Sequence, residues 1–270
     1  MAPCTPPPTL PTSACRAHDS ALTWYSDMKA SEILLFVAAA FFILPPQAFG
    51  DTLTALKPYL NMSKPKGPGP FPVIMMMSGC SGFGPRNRNS SYSIYQKQLT
   101  ELGFLVVRVD SLNARSQRRC NNGRVTKDDQ IADVASLAAY LKSLPMIKFD
   151  ALNLLGWSWG GGAVLAAAMR LESINAAIAY FPGCKGLPGK SVRVPTLVLF
   201  GEADDIVSIK DCAKIFAASG LLTLRTYPGA HHAFGNPKFD PPVRYGFGTL
   251  AYDEAAAKAA WAELKKFLVR

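Results

Sequence analysis

Gly156, Trp157, Ser158, Trp159 and Gly160 make a G-x-S-x-G pentapeptide between an apolar run, Leu152 to Gly156, and an Ala-rich stretch from Gly160 to Leu171. A serine on a tight strand-to-helix turn stands exposed at the edge of a sheet, and flanking glycines let the backbone bend without a Cβ in the way. The helix N-terminus behind such a serine favours the negative charge that develops when its oxygen attacks a carbonyl. Alone, the pentapeptide also fits a glycine-rich packing turn. Its chemical meaning depends on a base and on a carboxylate to orient that base.

The chain has three histidines, His18, His231 and His232. The last two lie in YPGAHHAF at 227–234, directly after the run Leu222 to Tyr227. Carboxylate candidates are Asp204 and Asp205, in FGEADDIV at 200–207, just after Thr196 to Phe200. An isolated aspartate in such a turn is usually a cap or turn former. Here serine, acid and histidine arrive in the order Ser, Asp, His, each at the end of an apolar run, which is the order of α/β-hydrolases. Ahead of them SGCSG at 78–82 follows Pro72 to Met77, where a glycine-containing turn can aim backbone N–H groups inward. The N–H groups of Cys80 and Trp159 are the candidate oxyanion donors. Trp157 is a candidate apolar wall for substrate, with a packed core aromatic as the competing reading. Arg115, with Arg118 and Arg119 in the loop after Leu105 to Asp110, is a candidate contact for an anionic substrate, against a solvated basic loop. No Cys/His/Asp cluster has zinc-ligand spacing, so neither metal nor cofactor is expected.

The elements that must position these residues alternate. The runs Pro72–Met77, Leu105–Val109, Leu152–Gly156, Ile174–Phe181, Thr196–Phe200 and Leu222–Tyr227 predict strands. Residues 127–144 place Ile131, Val134, Leu137, Leu141 and Leu144 at helical spacing before Pro145, and further helices are expected around 208–219 and from near Asp253. That last helix presents Trp261, Leu264, Phe267 and Leu268 on one face. Continuous apolar runs alternating with helices indicate a mainly parallel sheet covered on both faces. Residues 235–251 form a long Pro/Gly-rich connection that could cover a pocket.

Over 270 residues, 49% are apolar and 18% charged, which excludes a disordered chain. No period of 20–50 residues recurs, so solenoids and propellers are excluded too. The net charge is +10, but no Lys/Arg run is long or interleaved with aromatics, and nucleic acid is not an expected partner. Residues 1–27, rich in proline, do not look like the start of a folded domain and are read as a mis-assigned or disordered extension. From Met28 there follow Lys29, an apolar run from Ile33 to Leu44, and Ala48, Phe49 and Gly50 before Asp51. That is the layout of a secretory signal peptide cleaved after Gly50, leaving a single domain at 51–270, secreted or periplasmic and without a stable membrane anchor. Export leaves Cys80, Cys120, Cys184 and Cys212 where pairing is allowed. Four cysteines permit three two-bridge patterns; Cys184 and Cys212 follow neighbouring strands and are the pair expected to bridge, with free core thiols as the competing reading.

Taken together, these motifs resemble the dienelactone hydrolase family of α/β-hydrolases over roughly residues 55–270. The resemblance rests on GPGPFP at 67–72, SGCSG at 78–82, Asp110 with Ser111 and Arg115, GWSWGG at 156–161, FPGC at 181–184, GEADD at 201–205 and YPGAHHAF at 227–234. It implies an α/β-hydrolase fold and assigns the acid to Asp204 and the base to His232, with Asp205 and His231 as neighbouring alternatives. The dienelactone hydrolases that name the family use a cysteine nucleophile where this chain has Ser158, which points to serine-esterase chemistry. The family's common His-Gly at the oxyanion turn reads Ser78-Gly79 here. The expected activity is hydrolysis of small-molecule carboxylic esters through an acyl-enzyme. A peptidase or acyltransferase on the same triad, or a catalytically silent binding protein with this fold, are the alternatives.

Overall fold

The computed structural model describes residues 46–84, 91–120 and 123–269. The extension at 1–27 and most of the signal segment at 28–50 lie outside them. The proposed cleavage point after Gly50 falls inside a helix, α1 (Pro46–Leu56), whose last residue is buried.

Seven strands form one sheet in the order β1 (Asn61–Ser63), β3 (Leu105–Val109), β2 (Phe71–Met77), β4 (Ile147–Trp157), β5 (Ala176–Tyr180), β6 (Thr196–Gly201) and β7 (Leu222–Tyr227). Every neighbouring pair is parallel except β1 with β3. The expected mainly parallel α/β architecture is therefore present. Alternate residues of each buried strand feed opposite faces, as a period of two requires. From β2, Val73, Met75 and Met77 join a core under α3 (Lys127–Lys142), α4 (Trp159–Arg170) and α5 (Ala213–Ala218). Ile74 and Met76 join a second core under α2 (Ser91–Glu101) and α6 (Glu254–Leu268). A sheet with two apolar faces has no polar alternation, which is why its strands read as continuous runs.

Helix boundaries follow local chemistry. Thr126 caps α3 by accepting from the Asp129 N–H at 3.1 Å, while Asp129 accepts from the Thr126 N–H at 2.7 Å. Asp253 caps α6 with a single bond, accepting from the Ala256 N–H at 2.9 Å. On α6 the buried residues are Ala256, Ala260, Leu264 and Phe267, with Trp261 and Leu268 partly buried beside them.

Three features depart from the sequence expectations. Strand β4 begins at Ile147 instead of Leu152, because Ile147 pairs with Phe71 ahead of a register shift in the ladder. Strand β1 has no apolar signature; its residues are ordered by antiparallel pairing with the edge of β3. The connection at 235–251 contains a hairpin, β8 (Val243–Tyr245) with β9 (Gly248–Leu250).

Among the described residues two disulfides tie the connections down. Cys184 bridges to Cys212, as expected, with both residues buried. Cys80 bridges to Cys120, joining the turn after β2 to the loop after β3. That loop is anchored a second time, through Arg115. Its guanidinium donates two parallel bonds to Asp133 of α3, at 2.9 and 2.8 Å, and a third to the Ser111 carbonyl. The pair holds the arginine pKa above its ordinary value. Asp133 is completely buried, so the two Arg115 donors that meet its carboxylate are engaged within the protein, while the arginine side chain keeps 26% of its surface exposed.

Two outcomes follow from these anchors. Arg115→Ala strands a buried carboxylate and should lower stability by about 3–5 kcal/mol in denaturant titration. Under native conditions a dithiol should open the partly exposed Cys80–Cys120 bridge before the buried Cys184–Cys212 bridge, because exchange requires access to a sulfur. Mass spectrometry of alkylated peptides reads the order.

Candidate active site

The pentapeptide turns where β4 ends and α4 begins, and steric crowding explains its glycines. A Cβ on Gly156 would overlap the Gly160 carbonyl, and a Cβ on Gly160 would overlap the carbonyls of Met77 and Ser78. Between them Ser158 adopts φ 52° and ψ −113°, a left-handed conformation that L-residues avoid and that costs on the order of 1–3 kcal/mol. Its backbone is held on both sides. The Ser158 N–H donates to the Tyr180 carbonyl at 2.9 Å, and its carbonyl accepts from the Gly162 and Gly183 N–H groups, each at 2.9 Å.

Because the sheet is parallel, the segments after β2, β4, β6 and β7 leave from the same edge. There the structure brings Ser158, Asp204 and His232 together. His232 Nε2 lies 3.0 Å from Ser158 Oγ, and His232 Nδ1 lies 2.7 Å from Asp204 Oδ2. Asp204 Oδ1 is occupied by the N–H groups of Ile206 and Val207, at 2.9 and 3.0 Å, so the carboxylate is fixed with Oδ2 toward the imidazole. The Asp204 side chain is fully buried and that of His232 only 7% exposed, so water does not compete for this contact. The acid turn and the histidine loop are joined by backbone bonds, Glu202 N–H to Tyr227 O and Ala203 N–H to Ala230 O, each 3.0 Å. Phe181 covers the imidazole, its ring centroid 4.5 Å away.

The neighbouring alternatives have other places. Asp205 turns away from the imidazole and receives the Thr249 N–H and hydroxyl, at 2.8 and 3.0 Å, which clamps hairpin β8–β9 to the acid turn. That N–H holds the Asp205 carboxyl below the ordinary aspartate range. The ring that lies between Ser158 and Asp204 belongs to His232, while His231 is partly exposed beside it. The 235–251 connection is thus fastened to the site, through Thr249 and through the Ala251 N–H, which donates to the His232 carbonyl at 3.2 Å.

Trp159 opens α4, so its N–H belongs to the first-turn donors that no helix carbonyl satisfies. The 78–82 turn reaches the same place: a Cβ built on Gly79 would lie 3.5 Å from Ser158 Cβ. Trp157 is placed as its competing reading has it, as a packed core aromatic. Its ring is 4% exposed and packs edge-on against Tyr92 and Tyr95, at 5.1 and 5.2 Å, and stacks near Tyr180 at 5.8 Å. Consecutive strand residues point to opposite faces, and this one points into the core beneath the site. Tyr92 also accepts the Gly79 N–H at 2.9 Å, a contact that no local motif announces. Among the described residues no group of three or more His, Cys, Asp or Glu is placed to hold a metal ion.

The two aspartates should separate by substitution. Asp204→Ala removes the partner of His232 and leaves the hairpin cleavage pattern in limited proteolysis unchanged. Asp205→Ala exposes 240–250 to cleavage. The Asp205 clamp is present above the ordinary aspartate pKa and is lost as pH falls through the depressed one, so acid should expose the same segment in the unaltered protein.

Comparisons with known proteins agree with this architecture. Cutinase 2 of Thermobifida cellulosilytica is 26% identical over 174 residues, 55% of this chain and 64% of that protein. The chain spans 53–65% of the length of the curated relatives it matches. Among solved structures, the dienelactone hydrolase-like promiscuous phosphotriesterase P91 from metagenomic libraries superposes with a TM-score of 0.64 at 16% identity, covering 78% of this chain and 91% of that one. The esterase Est2 of Thermogutta terrifontis gives 0.58 at 18% identity, covering 78% and 88%. Those likenesses establish the α/β-hydrolase fold. The pattern of the dienelactone hydrolase family matches residues 60–270, from β1 to the end of the chain, and the protein belongs to that family.

Proposed function

We propose that this protein is an exported serine hydrolase of small carboxylic esters, with Ser158 as nucleophile, His232 as base and Asp204 as the acid that orients it. The observation that carries the reading is the continuous Ser158–His232–Asp204 contact, 3.0 and then 2.7 Å, at a strained strand-to-helix turn. With Nδ1–H donating to Asp204, Nε2 is left as the acceptor for the serine proton. Ser158 Oγ then bonds to the ester carbonyl carbon, its proton passes to Nε2, and the carbonyl oxygen takes the negative charge. The N–H groups of Cys80 and Trp159 stabilise that oxyanion. Collapse expels the alcohol, which takes the proton from His232, and leaves an acyl-serine. Water, deprotonated by the same imidazole, then releases the acid.

Serine at 158 favours ordinary ester hydrolysis over the cysteine chemistry of the enzymes that name the family. Relatives named cutinases and structural neighbours named esterases support the same substrate class. Two disulfides support an oxidising compartment, and with it export.

The test is hydrolysis of p-nitrophenyl acetate and butyrate by the 51–270 protein beside Ser158→Ala. Turnover that falls by roughly a thousandfold or more in the variant supports the reading. Equal inertness of both proteins, with no labelling of Ser158 by a fluorophosphonate, overturns it.

A further inference from the structure

Three consecutive peptide groups of the turn after β2 are each held by a separate hydrogen bond. The 78–79 peptide is held through the Gly79 N–H, which donates to the Tyr92 hydroxyl at 2.9 Å. The 79–80 peptide is held through the Gly79 carbonyl, which accepts from the Gly82 N–H at 3.0 Å. The 80–81 peptide is held through the Cys80 carbonyl, which accepts from the Cys120 N–H at 3.0 Å, beside the Cys80–Cys120 disulfide. The middle group matters most. A trans peptide is planar, so fixing the Gly79 carbonyl also fixes the direction of the Cys80 N–H on its opposite side.

The 78–79 peptide alone depends on a remote side chain. Tyr92 stands in the first turn of α2, thirteen residues away. Its ring is wedged edge-on between Phe83, at 5.0 Å, and Trp157, at 5.1 Å, the residue that precedes the nucleophile. The same tyrosine therefore packs under the nucleophile strand and bonds to the turn beside Ser158. A Cβ on Gly79 would lie 3.4 Å from the Tyr92 oxygen and 3.5 Å from Ser158 Cβ, so the three groups meet at one point.

We propose that Tyr92 is a positioning residue of the oxyanion site: its hydroxyl, acting with the Cys80–Cys120 bridge on the other side of the turn, holds the Cys80 N–H at the place where charge develops on the substrate carbonyl. The proposal rests on the serine-hydrolase reading above. Its function is electrostatic preorganisation. A donor that is free to rotate must be reoriented during the reaction, and a donor already fixed needs no such step.

The experiment compares wild type and Tyr92→Phe, which keeps the ring and removes only the hydroxyl. With p-nitrophenyl butyrate, kcat should fall by about tenfold or more, a fraction of the 10²–10³ lost when an oxyanion donor is deleted outright, while KM stays within about twofold. Inhibition by an alkyl trifluoromethyl ketone adds a readout that packing alone does not move. Ser158 Oγ bonds to the ketone carbon, the serine proton passes to His232, and the oxygen becomes an oxyanion in the same site. Its affinity should weaken in proportion to kcat/KM, and labelling of Ser158 by a fluorophosphonate should slow in parallel. If Tyr92→Phe fails to fold, the Cys80→Ala and Cys120→Ala double variant loosens the same turn from the other side and should give the same kcat-selective loss.

Unchanged kcat and inhibitor affinity in a folded Tyr92→Phe, or in the double variant where that is the one that folds, overturn the positioning role and leave the hydrolase reading intact. A loss confined to KM overturns it as well. A wild-type protein that neither turns over esters nor labels at Ser158 overturns both.

Discussion

Between Gly156 and Gly160 the chain passes from a buried strand to a buried helix in a space that admits no Cβ at either glycine. Much of the site is a consequence of that crowding. With both flanking residues reduced to backbone, α4 packs directly on the end of β2, and Ser158 is left at φ 52°. The unfavourable conformation persists because Tyr180, Gly162 and Gly183 all bond to the Ser158 backbone. Strain of this kind survives only where the surroundings over-determine it. Here they are strand β4, paired in parallel with β2 on one side and β5 on the other, and a helix whose residues from Gly160 to Met169 are all buried.

The same sheet explains why residues far apart in sequence converge. Parallel strands deliver their carboxyl ends to one edge, so the turns after β2, β4, β6 and β7 are neighbours without any long excursion of the chain. The remaining precision comes from hydrogen bonds between turns. The Ile206 and Val207 N–H groups leave Asp204 one free oxygen, aimed at His232. Backbone bonds from Glu202 and Ala203 fasten the acid turn to the histidine loop. Asp205, the adjacent carboxylate, faces outward and closes the hairpin over the acid turn. Two neighbouring aspartates thus divide two tasks because successive residues in a turn point in different directions.

Beneath this layer lies an aromatic bed. Trp157, Tyr180, Tyr92, Tyr95, Phe181 and Phe234 form a chain of ring contacts at about 5–6 Å, and Phe181 carries it to the imidazole. The loop after β3 is likewise anchored: Arg115 reaches into α3, and the Cys80–Cys120 bridge carries that anchorage to the turn beside Ser158. Burial holds the Tyr95 and Tyr180 phenols above the ordinary tyrosine range, as expected for rings packed in the core.

By itself the sequence determined the fold class and six of the seven sheet strands, and it singled out Ser158 by its pentapeptide. Each is a local matter: apolar runs mark buried parallel strands, and a serine between glycines marks a turn with no room for side chains. It also limited a histidine base near the motifs to His231 or His232, because the chain holds so few histidines, and offered Asp204 and Asp205 as carboxylates in the turn after Thr196 to Phe200. Tertiary structure decided the rest. That Asp204 and not Asp205 meets His232 depends on which oxygen two backbone N–H groups capture, and Trp157 was legible as an aromatic beside Ser158 but not as one directed inward. Arg115 could not be separated from a solvated arginine until α3 placed Asp133 against it. Neither β1 nor the contact of Tyr92 with Gly79 has a local signature, since each exists only through a partner distant in sequence. Periodicity and spacing record the environment a residue expects along its own element; which donor meets which acceptor across elements is settled only when the packed layers fix their separation and direction.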